Sequence, residues 1–111
     1  MITFTDVPEG MEFVSVEVVE ECSDMIITTY CYKKNNDMTY VCQKYYLDKK
    51  LETQIMGNKE ERKKYKGYEI YINKIDNYIT ANIPFNNGEL CITGKTSEKE
   101  IHNILDRIKA S

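Results

Sequence analysis

From Met11 to Glu20 the chain reads MEFVSVEVVE, and Phe13, Ser15, Glu17 and Val19 alternate with Val14, Val16 and Val18. A period of two marks a β-strand and turns the three valines toward the core. The preceding VPEG is turn chemistry: Pro8 fixes φ, and Gly10 permits a φ that other residues avoid. Two further runs rich in β-formers follow, MIITTYCYKK (Met25 to Lys34) and MTYVCQKYYL (Met38 to Leu47), separated by Asn35, Asn36 and Asp37. Asn and Asp tolerate positive φ, so this is a hairpin. Its register is open: a loop at Asn36-Asp37 sets Cys31 opposite Cys42, whereas a loop at Asn35-Asn36 sets Cys31 opposite Tyr40. In either case Tyr30 and Tyr32 lie on the face away from Cys31, because side chains alternate along a strand.

A weaker strand pattern spans Leu51 to Gly57, and the charged KEERKKYK (Lys59 to Lys66) reads as a solvated loop. Alternation returns in GYEIYINKI, with Tyr68, Ile70 and Ile72 on one face and Tyr71 on the other. Asp76-Asn77 then turns the chain into YITANIPF, and Asn86 to Gly88 turns it into ELCITG. Short β-rich runs punctuated by Asn, Asp and Gly predict an antiparallel meander.

The period changes at the end of the chain. Ser97 and Glu100 form a capping box, in which Ser97 accepts from the Glu100 amide and Glu100 reaches back to that of Ser97. Ile101, Ile104, Leu105 and Ile108 then recur at helical spacing as one apolar stripe. A helix of about fourteen residues is marginal alone in water and needs a surface to cover, and the sheet is that surface. The predicted fold is therefore α+β: a curled antiparallel sheet of about six to seven strands with one C-terminal α-helix packed on one face.

The length of 111 residues fits a single domain, residues 1–111, and a hydrophobic content of 41% suffices for one core. Net charge is a mild −3, but its distribution is uneven. Asp6, Glu9, Glu12, Glu17, Glu20, Glu21 and Asp24 all precede the first Lys or Arg. An acidic N-terminal third and one short basic run do not make the continuous basic face that phosphates require, so no nucleic-acid partner is expected. No apolar run approaches the length of a membrane span, and the start has neither the basic nor the apolar region of a signal peptide.

The residues that carry chemistry are few. Cys22, Cys31, Cys42 and Cys91 show no CxxC spacing, and a single histidine does not complete a zinc set, so neither a metal nor another cofactor is expected. Cys91 and His102 form the one nucleophile–base pair to weigh. His102 lies off the apolar stripe and reads as a surface residue. The GKT at Gly94 to Thr96 lacks the upstream glycine of a phosphate loop. No catalytic residue is assigned. Tyrosine is the unusual excess, with nine residues against three Phe and no Trp, and Tyr30, Tyr32, Tyr40, Tyr45 and Tyr46 crowd one hairpin. An apolar ring with a polar tip suits a half-exposed sheet and equally a recognition surface. These five are the candidate contact residues for a protein or small apolar ligand.

The series VPEGMEF, ITTYCYKKNNDMTYVCQ, GYEIYI and NGELCITGKTSEKEIHNIL, from Val7 to Ile108, resembles the DUF4367 family of domains from Gram-positive bacteria. Phe85 stands where many relatives place a tryptophan before the NG turn, and Cys91 where several have tyrosine. The resemblance implies a soluble extracytoplasmic domain of a membrane-anchored, anti-sigma-factor-like or sensor protein, the anchor lying outside this chain. A true start at Met1 would instead imply the cytoplasm. The expected function is non-enzymatic binding or sensing through the exposed sheet face. The competing expectation is a lipid-carrier-like domain with an apolar cavity between helix and sheet.

Overall fold

A computed structural model describes residues 2–22, 25–46, 61–85 and 88–110. Its main body is one open antiparallel sheet of seven strands, in the order β2-β3-β4-β8-β7-β6-β5. These are β2 (Glu12–Cys22), β3 (Met25–Lys34), β4 (Asp37–Tyr46), β5 (Glu61–Tyr65), β6 (Tyr68–Ile75), β7 (Tyr78–Phe85) and β8 (Gly88–Gly94). Helix α1 (Glu98–Leu105) lies on one face, and β1 (Ile2–Phe4) pairs with β9 (Ile108–Ala110) in a separate two-stranded ribbon. The α+β class, the strand number and the covering helix agree with the pattern in the sequence.

The order departs from a simple meander. β2-β3-β4 and β5-β6-β7-β8 are each sequential, but β8 lies against β4, so β5 becomes the far edge. Close approach makes this seam. A Cβ on Gly88 would fall on the Lys44 carbonyl oxygen, and one on Gly94 would lie 2.6 Å from that of Met38. Only glycine fits where two backbones come that near. Across the seam Val41 faces Ile92 and Ile92 faces Ala81, which in turn faces Ile72. That row is fully buried or nearly so, and Ile101, Ile104 and Leu105 of the helix close over it.

Turn chemistry decides the registers. In the β3–β4 hairpin Lys34 pairs with Asp37 and Cys31 with Tyr40, which selects the Asn35-Asn36 loop; Asn35 takes a φ of 58°. Asp76 similarly takes 53° in the β6–β7 turn. In the charged run predicted as a loop, Glu61–Tyr65 is instead strand β5, and Lys66 and Gly67, both at positive φ, turn it back into β6, while Lys59 and Glu60 lie outside the described residues. A pair of positive φ values is the hairpin turn that matches strand twist. The run is charged because it forms an edge, where lysines discourage further pairing. The strand expected at Leu51 to Gly57 lies outside the described residues.

Two other expectations need correction. Helix α1 has eight residues, not about fourteen, and Ile108 belongs to β9, where it pairs with Phe4. The Asp106 N–H donates to His102 O and the Arg107 N–H to Ile104 O, closing the last turn before the chain extends. Ile108 keeps its place in the core all the same. At the helix start, Ser97 Oγ accepts from the Glu100 N–H at 3.2 Å. The Glu100 carboxylate turns to Lys34 and Asn103 rather than back to Ser97. The second correction concerns β2: its valines are exposed rather than buried in the core.

Candidate functional site

β2 is the terminal strand of the sheet. One side pairs with β3, and no strand among the described residues pairs with the other. An antiparallel strand sends alternate N–H and C=O groups to either side, so a free edge leaves a row of them unpaired. Phe13, Val14, Val16 and Val19 are 44–48% exposed and Val18 is 66% exposed. The period of two was real, but the face it marks lies beyond the reach of α1 and stays open. β5, the opposite edge, is less than half as long and carries Arg62, Lys63 and Lys64.

Register places the side chains of β2. Phe13, Val16 and Val18 pair with Tyr32, Tyr30 and Thr28, on the face that carries the helix. Glu12, Ser15, Glu17 and Val19 share the other face. Shifts between Phe13 and Ser15 and between Glu20 and Cys22 bracket an unbroken run, Ser15–Glu20. Bulges of this kind bend an edge and limit how far a neighbour can follow it.

An aromatic cluster supports the strand from inside. The Tyr32 ring lies 6.0 Å from Phe13 and 5.3 Å from Phe4, both edge-on, and Phe4 meets Tyr30 edge-on at 4.8 Å. Tyr32 is 2% exposed, and burial together with neighbouring Tyr30 pushes its phenol up to about 12. It is a neutral core residue, not an available contact. The five hairpin tyrosines therefore do not form one surface. Tyr30, Tyr32 and Tyr45 belong to the helix-bearing face, whereas Tyr40 and Tyr46 belong to the other. Tyr40 is the one that stands exposed; Tyr30, Tyr45 and Tyr46 are half-buried. The exposed apolar row of β2 is the feature that reasoning from the sequence turned inward.

The two edges also differ in charge and in how that charge is satisfied. No ion pair among the described residues engages Glu12 or Glu17. At β5, Lys63 reaches Glu98 at 2.9 Å and Lys66 reaches Asp106 at 2.7 Å, while Arg62 lies over the Tyr71 ring. The Tyr65 hydroxyl donates to Asp106, and its ring stacks on His102 with centroids 3.9 Å apart. Hydrogen bonds from Lys63 and Lys74 hold the Glu98 carboxyl below its ordinary value, and those from Lys66 and Tyr65 do the same for Asp106. The helix thus closes the β5 side with its own acids.

The remaining chemistry is dispersed. Cys91 pairs with Cys42 on the face opposite the helix, so the sheet separates it from His102. Burial pushes the Cys91 thiol up, which disfavours the thiolate. Among the described residues no three His, Cys, Asp or Glu side chains converge as a metal ion requires. An open depression of about 520 Å³ lies between the β6–β7 turn and the helix start, but Lys74, Asp76, Glu98 and Lys99 give it mixed charge. Compared with known proteins, the chain matches no family model and no curated sequence.

Proposed function

We propose that this protein is a non-enzymatic binding module whose contact surface is the exposed apolar flank of β2. The observation that carries this reading is the exposure of Phe13, Val14, Val16, Val18 and Val19 along one strand. Single exposed apolar residues are ordinary on any surface, but Phe13, Val16 and Val18 share one face of the strand, and grouped exposure of that kind supports an interaction site. The likeness to DUF4367 domains supports an extracytoplasmic setting, with the domain carried by a membrane-anchored signalling parent. No helix among the described residues is long and apolar enough to cross a membrane.

The carrier alternative has less support. Ile101 and Ile104 are fully buried against the sheet, and close packing leaves the helix–sheet layer as core. Selection of a random peptide library on the protein tests the proposal. Enriched peptides should lose binding to a Val16→Ser/Val18→Ser variant whose Tm matches the wild type. A selection without binders, or binders indifferent to those substitutions, would count against it.

A further inference from the structure

We propose that β2 recognises its partner by strand addition, and that the partner is an extended segment of another polypeptide in which apolar residues alternate with Lys or Arg. This rests on the β2 surface proposed above and specifies what that surface takes. Three observations converge on the run Ser15–Glu20. Its outer backbone edge has no strand beside it among the described residues. Its register is unbroken, so an added strand can keep step with it. Its exposed side chains sort by face: Val16 and Val18 lie on the helix-bearing side, and Ser15, Glu17 and Val19 on the other, where Glu17 is the only charge, with Glu12 beyond the bulge.

An added antiparallel strand satisfies the unpaired N–H and C=O groups, and alternate side-chain positions supply the specificity. Residues of the added strand opposite Val16 and Val18 meet apolar surface and the exposed edge of the aromatic cluster. Those on the other face meet Glu17, a carboxylate without an ion pair among the described residues, where a cation is favoured and an acid is not. Alternating apolar and basic residues satisfy both faces at once.

A second copy of the chain fits less well. Twofold pairing of β2 with β2 brings the two Glu17 side chains into opposite or diagonal contact, which is repulsive. The β5 edge of another copy offers Arg62 and Lys64 on one face, but the face that would meet Val16 and Val18 carries Glu61 and Lys63, with Tyr65 already stacked on His102. Such head-to-tail pairing would also propagate into an open-ended assembly.

The test uses fluorescent peptides of about nine residues, long enough to pair with the whole run. A peptide alternating Val and Lys should bind, and one alternating Val and Glu should bind at least about tenfold more weakly. Glu12→Lys/Glu17→Lys should reverse that preference with Tm retained. N-methylation of alternate residues along one edge of the Val–Lys peptide should abolish binding, while the same change along its other edge should be tolerated. Equal binding by the basic and acidic peptides, or indifference to N-methylation of either edge, overturns strand addition. In that case library peptides that still depend on Val16 and Val18 leave the binding-module reading standing. Loss of that dependence removes both. Light scattering should find a monomer; a dimer dissolved by Val18→Lys would make a second copy the occupant and overturn the proposal.

Discussion

The two edges of this sheet meet the same physical problem in opposite ways. β5 is short and charged, and its Lys63 and Tyr65, with Lys66 of the following turn, are tied to Glu98, His102 and Asp106 from the helix side. β2 is long and apolar, and no ion pair among the described residues engages its Glu12 or Glu17. An unpaired strand invites association, and proteins ordinarily suppress that invitation. Here one edge is suppressed and the other is open. The proposed function assigns the binding role to the edge that lacks this protection among the described residues.

The largest test of this contrast strikes the element that closes one edge and leaves the other free. Ile104 is fully buried, and Ile104→Asp places an unpaired charge between helix and sheet. A loss of about 3–5 kcal/mol is expected, enough to unfold a marginal domain. A Tm change of a degree or two would show that the helix is not docked.

Next comes the seam that joins the half-sheet carrying β2 to the half carrying β5. Gly88→Ala drives a methyl group into the Lys44 carbonyl, and denaturant unfolding should show about 1–3 kcal/mol of destabilisation. An unchanged midpoint would mean that β4 and β8 lie farther apart than their pairing requires.

Matched substitutions at the two edges sharpen the comparison directly. Tyr65→Ala removes a ring stacked on His102 and a hydroxyl bonded to Asp106, and should cost about 1–2 kcal/mol. Val18→Ser removes a largely exposed side chain and should stay within about 0.5 kcal/mol. Equal costs would erase the distinction between a closed edge and an open one.

The smallest effect is on pH dependence. The Glu98 carboxyl is held below its ordinary value of 4.5 by Lys63 and Lys74, so its contribution to stability is present above that value. It is lost as pH falls through the lower, folded-state value. Glu98→Gln should therefore flatten the acid limb of a Tm–pH curve. Lys63 runs the other way: Glu98 raises its pKa, so its contribution is full below the ordinary 10.5 and fades as pH rises through the folded value. Lys63 is exposed and Glu98 only partly buried, so both effects should shrink in high salt.

Much of the sheet could be read locally. The β-rich runs from Met25 to Lys34 and from Tyr78 to Phe85 match the observed strands, because β-propensity and turn residues are short-range signals. The apolar stripe of the helix was legible for the same reason. What escaped was non-local. Nothing near Ile108 announces that Phe4 lies beside it, nor does any local cue set β8 against β4. The exposed surface of β2 was missed by the same route. Alternating valines normally mean a buried face, and only the position of β2 at the end of the strand order leaves them uncovered. Tyrosine excess drew attention to the right hairpin, but Tyr32 is core and its neighbours divide between two faces. The signal that was present and undervalued was acidic: Glu12 and Glu17 stand among the strand's exposed apolar residues with no nearby cation in sequence.

Amide hydrogen exchange resolved by residue, with and without the Val–Lys peptide, tests the central claim most directly. In the free protein the outward-facing amides of Ser15–Val19 should exchange rapidly while the inward ones, bonded to β3, are protected. Peptide should slow the outward set and leave β5 unchanged. Outward amides already protected in the free protein, or new protection appearing at β5 instead, would contradict an open edge at β2.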